Sequence, residues 1–144
     1  MAVTKSVEVK IHSIIDNLEN GAPDGEPEIS IFTVDGTLSV QEDSLRLNYA
    51  EEGEGYRTLC ELTVRERGVS LSRREAVVCD ILFAEGEECH TVYSVPPYKF
   101  DMSVFTRRIR ASLTEEGGTL QLIYGMNVGG QDKNVNMKIT VRVK

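Results

Sequence analysis

The sequence has no tryptophan, only two histidines, and three cysteines among its 144 residues. The cysteines, Cys60, Cys79 and Cys89, are odd in number and none forms a CxxC pair. A complete disulfide framework is thereby excluded and a zinc knuckle disfavoured, so they are expected to be free thiols in a reducing compartment. His12 shares strand parity with Glu8 and Lys10, and His90 with Glu88. Both point away from the apolar face, which argues against a histidine-based catalytic or metal centre inside the fold. Cys89 and His90 are adjacent and so face opposite sides of a strand. That disfavours a thiol–imidazole nucleophile.

Long hydrophobic runs are also missing. "MAVTKSVEVK" has no continuous apolar segment of the secretory kind. "AVVCDILFA" is too short to span a bilayer and contains Asp80. Positive charge is in deficit, with a net charge of -7 and a pI near 4.9. This argues against nucleic acid or an anionic membrane as partner and fits a cytoplasmic protein. "GEGYRT" (Gly53 to Thr58) lacks the lysine and the following helix of a phosphate loop. No stretch repeats at 3.6 residues. No cofactor is indicated.

What is present is alternation. Val7, Val9, Ile11 and Ile15 share one face of a first strand, Ser6 to Ile15, opposite Glu8, Lys10 and His12. A polar loop is expected over Asp16 to Glu28. A strand follows over Glu28 to Val40, with Gly36 as a bulge or bend. Leu45, Leu47 and Tyr49 mark the next strand. After the loop "EEGEG" come Thr58, Cys60, Leu62 and Val64, then Val69 and Leu71. Val77, Cys79, Ile81 and Phe83 lead through "AEGEE" to Cys89, Thr91, Tyr93 and Val95. Pro96-Pro97 interrupts the ladder. Phe100, Met102 and Val104 follow, and the parity then shifts to Ile109, which predicts a bulge near Phe105. Met137, Ile139, Val141 and Val143 end the chain.

Turn lengths test this reading, because a one-residue slip turns every side chain to the wrong face. A two-residue turn at Glu66-Arg67 pairs Val64 with Val69 and Leu62 with Leu71. A loop centred on Gly86 pairs Phe83 with Cys89 and Cys79 with Tyr93. A four-residue loop, Glu115 to Gly118, pairs Thr114 with Thr119, Ile109 with Tyr124 and Leu113 with Leu120. In each case the apolar residues fall on the same face.

The chain therefore reads as one all-β domain, residues 1–144, of about eight to ten antiparallel strands without a covering helix. An unshielded apolar face must close on itself or meet a second sheet. Consecutive hairpins favour an up-and-down barrel, with a two-sheet sandwich as the alternative. Few polar groups follow the apolar parity: Tyr49, Tyr93, Tyr124 and Thr91, with Arg73 and Arg107 toward strand ends. A guanidinium with neighbouring phenols in an apolar lumen suits a carboxylate on an apolar tail. Tyr49, Arg73, Tyr93, Arg107 and Tyr124 are thus the candidate binding residues, for a small hydrophobic or carboxylate-bearing ligand. A solid-cored interaction module is the alternative function, and a homodimer stays open. No nucleophile–base constellation stands out, so a non-enzymatic role is expected; an inward pair of carboxylates, or a Tyr–Arg–Glu triad converging in a deep pocket, would reopen catalysis.

The ordered features "GYRTLCELTV…VSLSRR…ILFAEGEECHTVYSVPPYKFDMSVFTRRI…GGTLQLIYGMNVGG…MKITVRV" resemble the YwiB-like family of small bacterial proteins (the DUF1934 domain). The likeness runs from about Val7 to Val143. It rests on Arg73 after a V-x-L strand, Tyr93 followed by Pro96, Thr106 before the next strand, and Tyr124 before a glycine-containing loop. The resemblance implies a lipocalin-like (calycin) barrel in a bacterial cytoplasm and no activity. This chain departs from the pattern at "RREA", where a glycine is expected soon after Arg73, and at "PPYKF", where a P-x-G turn is usual.

Overall fold

The computed structural model describes residues 3–144. Among the described residues eleven strands run in chain order: β1 (Val3–Glu19), β2 (Ala22–Pro23), β3 (Glu28–Val40), β4 (Ser44–Gly53), β5 (Tyr56–Arg65), β6 (Gly68–Glu75), β7 (Cys79–Phe83), β8 (Glu88–Val95), β9 (Tyr98–Thr114), β10 (Gly117–Val128) and β11 (Gln131–Val143). All but β2 form one antiparallel, nearly closed barrel, in the order β7-β6-β5-β4-β3-β1-β11-β10-β9-β8. Neighbours in space are neighbours in sequence, except where β1 meets β11. That ladder runs unbroken from Val7–Val143 to Asn17–Lys133.

The opposite closure is slight. β7 and β8 are joined by a short loop, yet only Val78 and Ser94 bridge them, through reciprocal hydrogen bonds of 2.8 and 2.9 Å. The predicted register across Gly86 agrees with that bridge, but the Phe83–Cys89 and Cys79–Tyr93 pairs do not form a ladder. The reason lies in the loop. Gly86 N–H donates to the Thr106 carbonyl at 2.8 Å, and the Glu87 carbonyl accepts from Thr106 N–H at 3.2 Å. The loop is thus drawn onto β9, and β8 follows it away from β7.

Three local expectations need correction. The segment after Ile15 is not simply loop: β1 continues to Glu19 and folds back onto β2 through Asn20-Gly21, whose φ angles of 53° and 80° suit a type I′ hairpin. The β9–β10 turn has two residues, Glu115-Glu116, so Thr114 pairs with Gly117 and Leu113 with Gly118. The register moves by two and every side chain keeps its face. Gly118, at φ 132°, has the Ser112 carbonyl 2.0 Å from where a Cβ would stand, which excludes a side chain there. Gly36 is no bulge either, since the β1–β3 register passes straight through it. A Cβ there would lie 2.5 Å from the Asn48 carbonyl and 3.3 Å from the Tyr49 Cβ. Glycine at this position lets β4 cross close over β3.

The predicted bulge exists, two residues later than expected. Ile123 pairs with Arg108 and Tyr124 with Thr106, so Arg107 is the extra residue. Elsewhere the parity reading holds. Val7, Val9, Leu38, Leu47, Leu62, Phe83, Val104, Leu120, Leu122 and Ile139 are fully enclosed. Each such side chain contributes about 1.5–3 kcal/mol by leaving water.

Candidate functional site

One cross-strand row organises the site. Gly36, Tyr49, Cys60, Arg73 and Cys79 are successive ladder partners across β3, β4, β5, β6 and β7. All follow the apolar parity. Adjacent strands are about 4.8 Å apart, so Cys60 and Cys79, two strands apart, stand near 10 Å and cannot bridge without moving backbone. All three cysteines are free thiols.

Arg73 is the charged member of the row. Its Nη2 donates to Glu51 Oε1 at 3.2 Å, and the two side chains are 23% and 24% exposed. Its Nε is buried and has no partner among the described residues. Burial alone would lower the guanidinium's pKa; Glu51, with Cys60 and Tyr49 behind it, outweighs that and holds it above the ordinary value. The anion that a buried Arg73 requires is therefore supplied by the chain itself.

Glu51 went unnoticed in the sequence because "EEGEG" reads as a loop. The signal was available: Leu45, Leu47 and Tyr49 extend by parity to Glu51, and β4 runs on to Gly53. Cys60 Sγ lies 3.8 Å from Glu51 Oε1, at the same polar knot. Burial, against the opposing pull of Arg73, pushes the Cys60 thiol up to about 12 and raises Cys79 as well. Burial also raises the Tyr49 phenol, with Cys60 adding to the effect. Tyr124 is pushed up to about 12, again mainly by burial. Its ring tilts at 56° against Phe83, with centroids 4.9 Å apart. These groups are neutral near pH 7 and act as hydrogen-bonding or packing groups.

A cavity of about 580 Å³ opens at this end of the barrel. Arg73, Tyr93 and Tyr124 line it together. Its apolar wall includes Leu71, Ile81, Met102, Met126 and Met137, with Phe100 at the lip. Thus three of the five candidate residues converge. Tyr49 does not line the cavity; it is buried on the Arg73 row. Arg107 is the residue the structure moves elsewhere. As the extra residue of the bulge it turns to the outer wall, where its Nη2 would lie 3.4 Å from a Cβ on Gly125. A bulge residue leaves the alternation, and the count of odd and even positions could not show which residue would do so.

Tyr49, Glu51 and Arg73 form an inward Tyr–Arg–Glu set, but the three do not converge in the cavity. Only Arg73 of the three lines the cavity, and its Nη2 is committed to Glu51. His90 is exposed beside Glu88, 3.5 Å away. Among the described residues, no group of three His, Cys, Asp or Glu side chains could hold a metal ion, and no helix is long and apolar enough to cross a membrane.

The geometry defines a class: an all-β antiparallel barrel with a cavity at one end, where an arginine paired to a carboxylate meets two phenols. The chain belongs to the family described as "Domain of unknown function (DUF1934)", which matches residues 9–141. It is 28% identical over 118 residues to the "Uncharacterized beta-barrel protein YwiB" of Bacillus subtilis (strain 168), a match covering 81% of this chain and 83% of that protein. It is also similar to the crystal structure of the ywiB protein from Bacillus subtilis, with a TM-score of 0.86 and 25% identity. That superposition covers 98% of this chain and 93% of the other.

Proposed function

We propose that this protein binds a small amphiphilic molecule in the hollow end of its barrel, in the manner of a lipocalin and without chemical turnover. The carrying observation is the cavity of about 580 Å³ in which Arg73, Tyr93 and Tyr124, with Lys133, Gln131 and Ser13, interrupt a mainly apolar wall. That volume lies within the range of about 300–1,000 Å³ usual for small-molecule sites. The apolar part of the ligand rests on Ile81, Met102 and Met126. Its head group is a hydrogen-bond acceptor, carboxylate or carbonyl, held at Arg73 and Tyr124. Because Glu51 already neutralises Arg73, an anionic head must share the guanidinium, whereas a neutral acceptor need not. Free thiols and the acidic balance support a cytoplasmic setting, and the bacterial relative supports a bacterial one.

Native mass spectrometry of freshly purified protein, followed by titration with a fluorescent fatty acid, tests the reading. The expected result is a co-purified or saturably bound amphiphile, with affinity lost in Arg73→Met. An empty protein that binds no probe, or one that binds it equally well after Arg73→Met, overturns it. A structural module is the second reading, favoured by the enclosed residues of the other end. It gains if the cavity stays empty in both measurements.

A further inference from the structure

β3 carries an unguarded edge. From Gly36 to Val40 it pairs with β4, but from Glu28 to Asp35 its only ladder partner among the described residues is β1. Gly36 is the point where β4 departs.

The direction of the free backbone groups follows from two hydrogen bonds. Gln41 N–H donates to the Ser44 carbonyl at 2.9 Å, so the odd residues of β3 address the β4 side. Lys144 N–H donates to the Ser6 carbonyl at 3.1 Å, so the even residues of β1 address β11 and its odd residues address β3. Val9 pairs with Val34 and Ile11 with Phe32, which assigns the even residues of β3 to β1. Both routes agree. The N–H and C=O groups of Ile29, Ile31 and Thr33 point out of the barrel wall with no strand to receive them. Ile29 and Ile31 are also 63% and 57% exposed, which is unusual for isoleucine.

Natural edges are blunted by lysine, proline, a bulge or a cap. The late part of β9, another segment with a ladder on one side only among the described residues, follows this rule. Arg108 and Arg110 are exposed on it, and Glu85 Oε1 accepts from the Ile109 N–H at 3.2 Å. "EISIFTVD" (Glu28 to Asp35) has none of these devices.

We propose that this edge is a dimerisation strand, which pairs antiparallel with the same strand of a second copy about a two-fold axis at Ile31. In that register Ile31 faces its own counterpart and Ile29 faces Thr33. Ser30 faces Phe32 and Glu28 faces Val34. No carboxylate opposes another, a condition that matters for a chain of net charge -7. A partner strand of other composition would satisfy the backbone but would have to supply its own match to the two isoleucines. The symmetric pairing supplies it from the same sequence. One strand pair is a small interface beside the roughly 1,600 Å² of a standard stable complex, so the association depends on concentration in the accessible range.

Sedimentation equilibrium from micromolar to millimolar protein tests this, together with amide exchange by NMR. The expected mass rises from the 16.0 kDa monomer toward twice that value, and the Ile29, Ile31 and Thr33 amides gain protection as it does. Ile31→Lys, at an exposed position, shifts the association at least tenfold toward monomer. Thr33→Pro does the same, since its N–H is not used by the β1 ladder. A monomer at every concentration overturns the proposal. So does a dimer that survives both variants or leaves those amides unprotected, and so does growth beyond the dimer. A monomer whose β3 amides are protected only by an added extended peptide also overturns it, in favour of a foreign strand.

Discussion

The two ends of this barrel are built from the same alternation and behave differently. At one end Val9, Leu38, Leu47, Leu62 and Leu120 are fully enclosed, and a cleft of about 540 Å³ beside the β5–β6 turn is rimmed by Arg65, Glu66, Arg67, Glu85 and Glu87. At the other, Arg73, Tyr93 and Tyr124 surround a cavity of about 580 Å³. Ladder continuity separates them. The hollow end is where β3 parts from β4 beyond Gly36. Strands that splay cannot bring opposing side chains into contact, so side chains of similar size close one end and leave the other open.

The contrast can be broken most forcefully at the enclosed end. Leu62→Ala is expected to cost about 2–5 kcal/mol in urea denaturation, because it deletes packed methyl groups and leaves a void. Ile81→Ala, on the cavity wall, is expected to cost under about 1.5 kcal/mol, since its neighbours already face open space. Equal losses at the two positions would show that the ends are packed alike.

The next effect concerns the polar knot. Glu51→Gln removes the carboxylate from Arg73 and is expected to cost about 2 kcal/mol, less than for a fully buried pair because both groups are partly exposed. Arg73→Met restores most of that loss in the Glu51→Gln background, and a double-mutant cycle reads it. An additive cycle would show that the pair does not couple.

Alkaline pH attacks the same region. Cys60 has a folded pKa of about 12 against an ordinary 9.0, and Tyr124 about 12 against 10.0. A raised folded pKa gives a contribution that is complete below the ordinary value and lost as pH rises toward the folded one. Stability is therefore expected to fall between pH 9 and 12, with a loss of up to about 3 kcal/mol by pH 11 from Cys60. Thermal unfolding across that range checks it, and Cys60→Ala should flatten the slope.

The smallest expected effect runs the other way. Glu75 has φ 83°, a conformation that favours glycine, at the "RREA" stretch where family resemblance calls for one. Glu75→Gly is expected to stabilise by about 0.5–1 kcal/mol in the same denaturation assay. A loss of stability would show that the Glu75 side chain contributes more than its backbone costs.

The sequence by itself determined which side chains face inward. Alternation is a property of each strand alone, so Val7, Leu62, Arg73 and Tyr124 could be assigned to the lumen without knowledge of their neighbours. Even a register error of two residues, as at Glu115-Glu116, left those faces unchanged. Tertiary structure alone decided depth and closure. Whether an inward residue meets a wall of leucines or an opening depends on where ladders continue across the barrel, which is a long-range matter. It placed Glu51 against Arg73, kept Tyr49 out of the cavity, and sent Arg107 to the outer wall through one extra residue in β9.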